Sequence, residues 1–252
     1  MGYENGVVVL TGIGKPGQTG EVVARALLAK GVRLAVVSRS AREAEARAAA
    51  VRAGTTDGTV GGASGGDVRG FPCDLAKEAE VAALVRMVRD AFGERVDALI
   101  NMAGGFAMSG PVVDSDFAAW QHQISINLTT AYLATRAFLP ALRAARNSSI
   151  VYFASAAALP GARIARTSAY AVSKSGVIAL MRAVAQEEAR NGVRANAIAP
   201  TSIRTAANLE SMGADADYVD RSDIASTVLW LCSDEASAVT GEVVKLQKAA
   251  RP

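Results

Sequence analysis

The stretch VVVLTGIGKPGQTG, residues 7 to 20, sets an apolar, β-branched run directly against ten residues holding four glycines, a proline and a lysine. A run of that kind reads as a strand buried on both faces, and a glycine-rich turn after it leads into a helix whose N-terminus favours anions. Gly12, Gly14 and Gly17 match G-x-G-x-x-G literally, a spacing that lets backbone N–H groups approach a pyrophosphate. In that phasing Pro16 falls in the first turn of the helix, where its missing N–H is tolerated. In a second phasing the helix begins near Gly20, and Gly12, Gly17 and Gly20 take the three glycine roles. The phosphate loop of ATPases fails, because Lys15 is followed by Pro16 and no glycine stands at the required distance upstream. A plain βα turn is the bland alternative.

Working outward, β-branched runs recur at 6–12, 33–39, 68–73, 97–104, 148–155, 193–200 and 242–247. Between them lie segments such as 20–31, 80–93, 120–145 and 170–192, whose apolar residues recur every three or four positions. This alternation predicts an α/β fold: a doubly wound, Rossmann-type, mostly parallel sheet of seven strands with helices on both faces. The 252 residues, half of them apolar and a fifth charged, suit a single domain over 1–252. Residues 53–67, low in apolar content and rich in Gly, Ser and Thr, predict a flexible surface loop.

A formal charge of +3 with basic residues scattered among acidic ones argues against nucleic acid as a partner. Cys73 and Cys232 stand far apart without a C-x-x-C motif, so they read as ordinary buried thiols and no metal site is expected. No signal-like segment or apolar run of about 18 residues is present. The expectation is a cytoplasmic protein with no membrane association.

In an open parallel sheet, ligands bind beyond the carboxyl ends of the strands. Those ends carry Thr11 to Gly20, Ser38-Arg39, Cys73-Asp74-Leu75, Asn101 to Gly104, Ser155 and Pro200-Thr201. Polar, small and turn-forming residues gather at each, so one site spanning the edge is expected. Ser38-Arg39 stands where an Asp or Glu would bind the ribose hydroxyls of NAD. Arg39, assisted by Lys15, offers a cation to a 2′-phosphate, which favours NADP(H) over NAD(H). Tyr170 and Lys174, at i and i+4 of a helix, share a face, and a nearby ammonium stabilises a phenolate. Tyr170 is therefore a candidate general acid or base, in company with Ser155, Asn127 in ISINLTT, and Asn101. His122 lies outside every motif and reads as a surface or packing residue.

In the order VVVLTG, INMAGG, ISINLTTAYLATRAFLP, Ser155, YAVSK, VRANAIAP and SDEASAVTGEVV, the chain resembles the single-domain short-chain dehydrogenases/reductases, similar to 3-oxoacyl-[acyl-carrier-protein] reductase-like members. The resemblance implies that Tyr170 passes the proton to or from the substrate oxygen while Ser155 hydrogen-bonds that oxygen. It implies that Lys174 binds the nicotinamide ribose and lowers the Tyr170 pKa, and that Asn127 holds a water in a proton relay. Asp74 with Leu75 would meet the adenine, Asn101, Ala103 and Gly104 would form the floor, and Pro200, Thr201, Ile203 and Thr205 would fix the carboxamide. With Thr11, Gly12, Gly14, Lys15, Gly17, Gly20, Ser38 and Arg39, these make up the candidate cofactor site.

The implied activity is NADP-linked hydride transfer between the cofactor and a small carbonyl/alcohol substrate, a ketone or 3-oxoacyl thioester, by a homotetramer or homodimer. A non-redox lyase or epimerase on the same fold, or a dinucleotide-binding regulator, remain the alternatives. Counting back from Gly31 puts Gly20 at the family's third glycine, so the loop carries an insertion. NMAG stands for N-N-A-G, Thr201 replaces a glycine, and KLQKAARP replaces an Asp-Gly-Gly ending. Residues 206–220 are short for a substrate lid, which suggests an open or small pocket, or one completed by another subunit.

Overall fold

The computed structural model describes residues 5–54 and 67–248. Seven strands, β1 (Val7–Thr11), β2 (Arg33–Ser38), β3 (Val68–Pro72), β4 (Ala98–Asn101), β5 (Ser148–Phe153), β6 (Val193–Pro200) and β9 (Val243–Leu246), form one sheet in the order β3-β2-β1-β4-β5-β6-β9. Every neighbouring pair is parallel. The order reverses between β1 and β4, so the connections leaving those two strands diverge and open a crevice at their carboxyl ends. Strands β1, β4, β5 and β6 are buried along their whole length, which is why most of their residues are apolar without a polar alternation.

Two cores result, one on each face. On one side pack α3 (Glu78–Phe92), α5 (Thr130–Ala145) and α6 (Ser168–Glu188), with Leu84, Phe138 and Met181 fully buried. On the other pack α1 (Thr19–Leu28), α2 (Ala41–Ala53) and α8 (Arg221–Cys232), through Val23, Leu27, Val51 and Leu231. The buried positions of α3, Val81, Leu84, Val88 and Phe92, follow the three-to-four spacing legible in the sequence. The two cysteines are free and buried, one in each core, and burial pushes both thiols up to about 12.

Several elements differ from expectation. The strand read over 97–104 stops at Asn101, because Met102 to Gly105 turn away to line the crevice. The single helix read over 120–145 is two: α4 (Phe117–Ile124) and α5, joined by a π-helical turn at Ser125–Thr129. That wider turn carries Asn127. Helix α2 buries only Ala44, Ala48 and Val51, so its apolar stripe is faint in the sequence. It lies so close to β3 that a Cβ at Gly70 would stand 2.2 Å from the Ala44 carbonyl oxygen.

The lid region over 206–220 is ordered by its own contacts. Thr205 caps α7 (Ala206–Met212), accepting from the Asn208 N–H at 3.3 Å, and β7 (Ser202–Ile203) pairs with β8 (Tyr218–Val219). The Tyr218 hydroxyl is 2.9 Å from the Asn208 carbonyl and 2.6 Å from that of Gly213. The loop expected at 53–67 falls almost entirely on residues 55–66, outside the described residues.

Candidate active site

The glycine loop is shaped by close approach. Gly12 has φ +70°, and a Cβ there would lie 2.4 Å from the backbone of Ala103. Gly20, in the first turn of α1, would place a Cβ 2.3 Å from the Ile13 carbonyl oxygen. These two glycines let β1, the β4 end and α1 meet at one point. Beside them the Thr11 hydroxyl donates to the Ile100 carbonyl at 3.2 Å and accepts from the Met102 N–H at 3.2 Å, tying the ends of β1 and β4 together.

Gly17 is different. It has φ +76°, a Cβ built there meets nothing within 4 Å among the described residues, and it is not among the residues lining the two cavities. Its N–H donates to the Glu21 carboxylate, which also pairs with Arg25, and its carbonyl accepts from Arg221 at the start of α8. Both backbone polar groups of Gly17 are thereby tied to α1 and α8. Helix α1 begins at Thr19 with Gln18 as its N-cap, and it is Gln18, not Gly17, that faces the crevice. Gly17, expected in the cradle, is not among the residues lining the two cavities.

Two adjoining cavities, of about 330 and 460 Å³, share Gly12, Ile13, Gln18 and Gly104 at their seam. The larger is lined by Gly14, Lys15, Ser38, Arg39, Asp74, Leu75 and Ala103, with Arg47 and His122 at the same wall. The smaller is lined by Ser155, Tyr170, Lys174, Pro200, Thr201, Ile203 and Thr205, together with Gly20, Phe106 and Asn208. Residues following six strands, β1 to β6, and residues of several helices converge here, so the sheet edge forms one continuous groove.

Within the smaller cavity, Lys174 is buried on α6 and its Nζ donates to the Phe153 carbonyl at 2.7 Å. Burial lowers its pKa to about 8. An ammonium has three donors, and one is used, so two remain for a ligand's hydroxyls. Ser155 caps a short 3-10 turn, accepting from the Ala157 N–H at 3.2 Å. Tyr170 packs edge-on against Phe106 at 5.0 Å between centroids. Its pKa is raised by burial, opposed by a hydrogen bond with Ser155. The expected lowering by Lys174 is therefore not the direction found. Desolvation sets the direction, and the Lys174 ammonium is engaged by the Phe153 carbonyl.

Asn127 holds the floor in place. Its Oδ1 accepts from the Gly105 N–H at 3.0 Å, and its Nδ2 donates to the Gly105 carbonyl at 3.0 Å and the Gln123 carbonyl at 3.1 Å. A Cβ on Gly104 would strike that Oδ1 at 2.4 Å. Asn127 is thus a clamp on the loop after β4, and its amide is occupied by protein groups.

Thr11 and Asn101 line neither cavity. Asn101 lies beneath the floor, its Nδ2 donating to the Thr135 hydroxyl at 3.0 Å, which in turn meets the Tyr152 hydroxyl at 2.9 Å. Its Oδ1 is buried without a partner among the described residues. Sequence reasoning missed Gln18, Phe106, Arg47 and the place of His122 on a cavity wall. The only signal for Gln18 was its position just before the helix start in the second phasing.

A family model described as enoyl-(acyl carrier protein) reductase matches residues 12–247. A Mycobacterium tuberculosis protein named (5R,7aS)-5-hydroxy-7a-methyl-1-oxo-2,3,5,6,7,7a-hexahydro-1H-indene-carboxyl-CoA reductase is 31% identical over 95% of this chain and 91% of its own. Levodione reductase from Leifsonia aquatica is 31% identical over 97% of this chain and 93% of its own. A solved levodione reductase structure has a TM-score of 0.85 at 31% identity, covering 98% of this chain and 97% of that one. The chain belongs to the short-chain dehydrogenase/reductase family. It is an oxidoreductase acting on a CH–OH/C=O pair with a nicotinamide cofactor.

The groove fits such a dinucleotide on its own evidence: the backbone is drawn in at Gly12 and Gly20 where side chains would clash, and two cavities adjoin across that point. No helix among the described residues is long and apolar enough to cross a membrane.

Proposed function

We propose that the chain is an NADP(H)-linked reductase of a ketone or 3-oxoacyl thioester, with Tyr170 as general acid. The observation that carries this reading is the meeting of Ser155, Tyr170 and Lys174 around one cavity that adjoins a second lined by Lys15, Ser38 and Arg39. When bound, the nicotinamide supplies hydride to the carbonyl carbon, or accepts it in the reverse direction.

Tyr170 donates its phenolic proton to the substrate oxygen as negative charge develops there, and the Ser155 hydroxyl donates a hydrogen bond to the same oxygen. The raised pKa of Tyr170 keeps it protonated at neutral pH, which is the form carbonyl reduction requires. Lys174 presents its free donors to the ribose hydroxyls and its charge to the phenolate that Tyr170 becomes. The loop after β4, clamped by Asn127, keeps Gly104 and Phe106 against this centre. Phe106, 63% exposed and packed edge-on against Tyr170, offers an apolar wall to the substrate.

The preference for NADP(H) rests on the absence of a carboxylate at Ser38-Arg39 and on the exposed Arg39, with Lys15 and Arg47 in the same cavity. A charge-assisted contact of this kind contributes about 1.5–3 kcal/mol. Fluorescence titration should show NADPH binding more tightly than NADH. Arg39→Ala should raise the NADPH dissociation constant by about tenfold or more and move that for NADH less than about twofold. Tighter binding of NADH by the unaltered chain would overturn the preference.

A further inference from the structure

The side chain of Gln18 folds back across the inner face of the glycine loop. Its Oε1 accepts from the Lys15 N–H at 3.3 Å, and a Cβ built on Gly14 would stand 2.5 Å from that same oxygen. Gln18 is among the four residues common to both cavities, so its side chain lies at the seam a dinucleotide must cross. The other three are Gly12, Ile13 and Gly104, and the two glycines contribute only backbone there. The group that joins the two halves of a dinucleotide is a diphosphate, which only accepts hydrogen bonds.

The inserted segment explains how a long side chain comes to be there. Arg221 and Glu21 hold Gly17 by its carbonyl and its N–H. Gln18 is therefore the residue carried inward at the start of α1, as its N-cap with extended backbone (φ −87°, ψ 172°). Its side chain makes no capping bond to the helix; it bonds Lys15 across the loop instead.

We infer that Gln18 is a gate on the diphosphate seat, a residue that sets dinucleotide affinity by occupying the seam until the ligand displaces it. The inference rests on the proposed dinucleotide site. An amide oxygen facing a diphosphate places acceptor against acceptor, so Oε1 leaves the seam when a dinucleotide enters. Its departure frees the Lys15 N–H, which then donates to the phosphate at the mouth of the helix. The loop thus holds its own hydrogen bond where the ligand's would form, and binding is weakened by the cost of exchanging one for the other.

The test is equilibrium titration of the full chain with NADPH, NADH and adenosine 2′-monophosphate, which lacks the diphosphate. Gln18→Gly and Gln18→Glu are compared with the unaltered protein, and thermal unfolding verifies that each variant is folded. Gln18→Gly should tighten NADPH and NADH alike by about fivefold, and Gln18→Glu should weaken both by about tenfold or more. Adenosine 2′-monophosphate should move less than about twofold in either. Because NADH also carries the diphosphate, a wrong assignment of NADP(H) preference would leave the Gln18 effect standing. Weaker or unchanged NADPH and NADH binding in Gln18→Gly would overturn the inference, showing that the amide contacts the phosphates as a donor or lies clear of them. An equal shift for adenosine 2′-monophosphate would overturn it too, because the substitution would then act on the loop as a whole.

Discussion

Tyr170→Phe is expected to lower kcat for ketone reduction by about 10³-fold while leaving NADPH affinity within about twofold of the unaltered value. General acid catalysis contributes about 10²–10⁴-fold, and the substitution removes only the hydroxyl. The ring stays in place, so its edge-on contact with Phe106 persists, and the surrounding α6 packing is untouched. Lys174 keeps its bond to the Phe153 carbonyl, because that bond does not pass through the phenol. The remaining rate comes from Ser155 and from holding substrate beside the cofactor. Steady-state kinetics on a ketone panel, followed at the NADPH absorbance band, read this directly. A variant with full kcat would remove Tyr170 from the chemistry.

Gly12→Ala should be among the most disruptive single-methyl changes in the chain. A new Cβ would meet the Ala103 Cα and N at 2.4 Å, and both are backbone atoms of a loop clamped by Thr11 and Asn127. Overpacking against such a wall costs about 1–3 kcal/mol. The φ of +70° adds about another 1 kcal/mol for a residue with a side chain. Gly12 lies at the seam of both cavities, so NADPH binding should fall beyond measurable range even where the fold survives. Gly17→Ala is the matched control, with a similar φ of +76° but open space around it. It should lose about 1 kcal/mol and keep NADPH affinity within about threefold. Thermal unfolding with NADPH titration separates the two, and equal losses at both positions would contradict the assignment of Gly12 to the groove.

Much of the sheet was legible because burial on both faces leaves little freedom in residue type. The runs at β1 and β6 announce themselves, and their Gly, Pro and polar ends mark where each stops. Helix α2 was illegible for the converse reason: an alanine-rich helix seated against Gly70 needs no large apolar stripe. The π-helical turn at Ser125–Thr129 leaves the apolar spacing almost intact while changing the backbone beneath it, so 120–145 read as one helix.

The site was legible where close approach demands a residue type, as at Gly12 and Gly20, while Tyr170 and Lys174, read from their spacing, line one cavity. What the sequence could not convey was which side of the enlarged loop faces inward. Gly17 and Gln18 are neighbours, and only the hold of Glu21 and Arg221 on Gly17 decides between them. Asn101 is a similar case: a polar residue at a strand end points to the groove by default, and only the structure shows its amide bonded to Thr135. The direction of the Tyr170 pKa shift was likewise hidden, since spacing reports that Lys174 shares its helix face but not the burial that raises the phenol.

A crystal structure of the chain with NADPH bound tests the central claim most directly. The result expected is one NADPH per chain, with its nicotinamide half in the cavity of Ser155, Tyr170 and Lys174 and its adenosine half in the cavity of Arg39 and Asp74. A nicotinamide lying outside the Tyr170 cavity, or a dinucleotide bound away from Gly12 and Gly104, would contradict it.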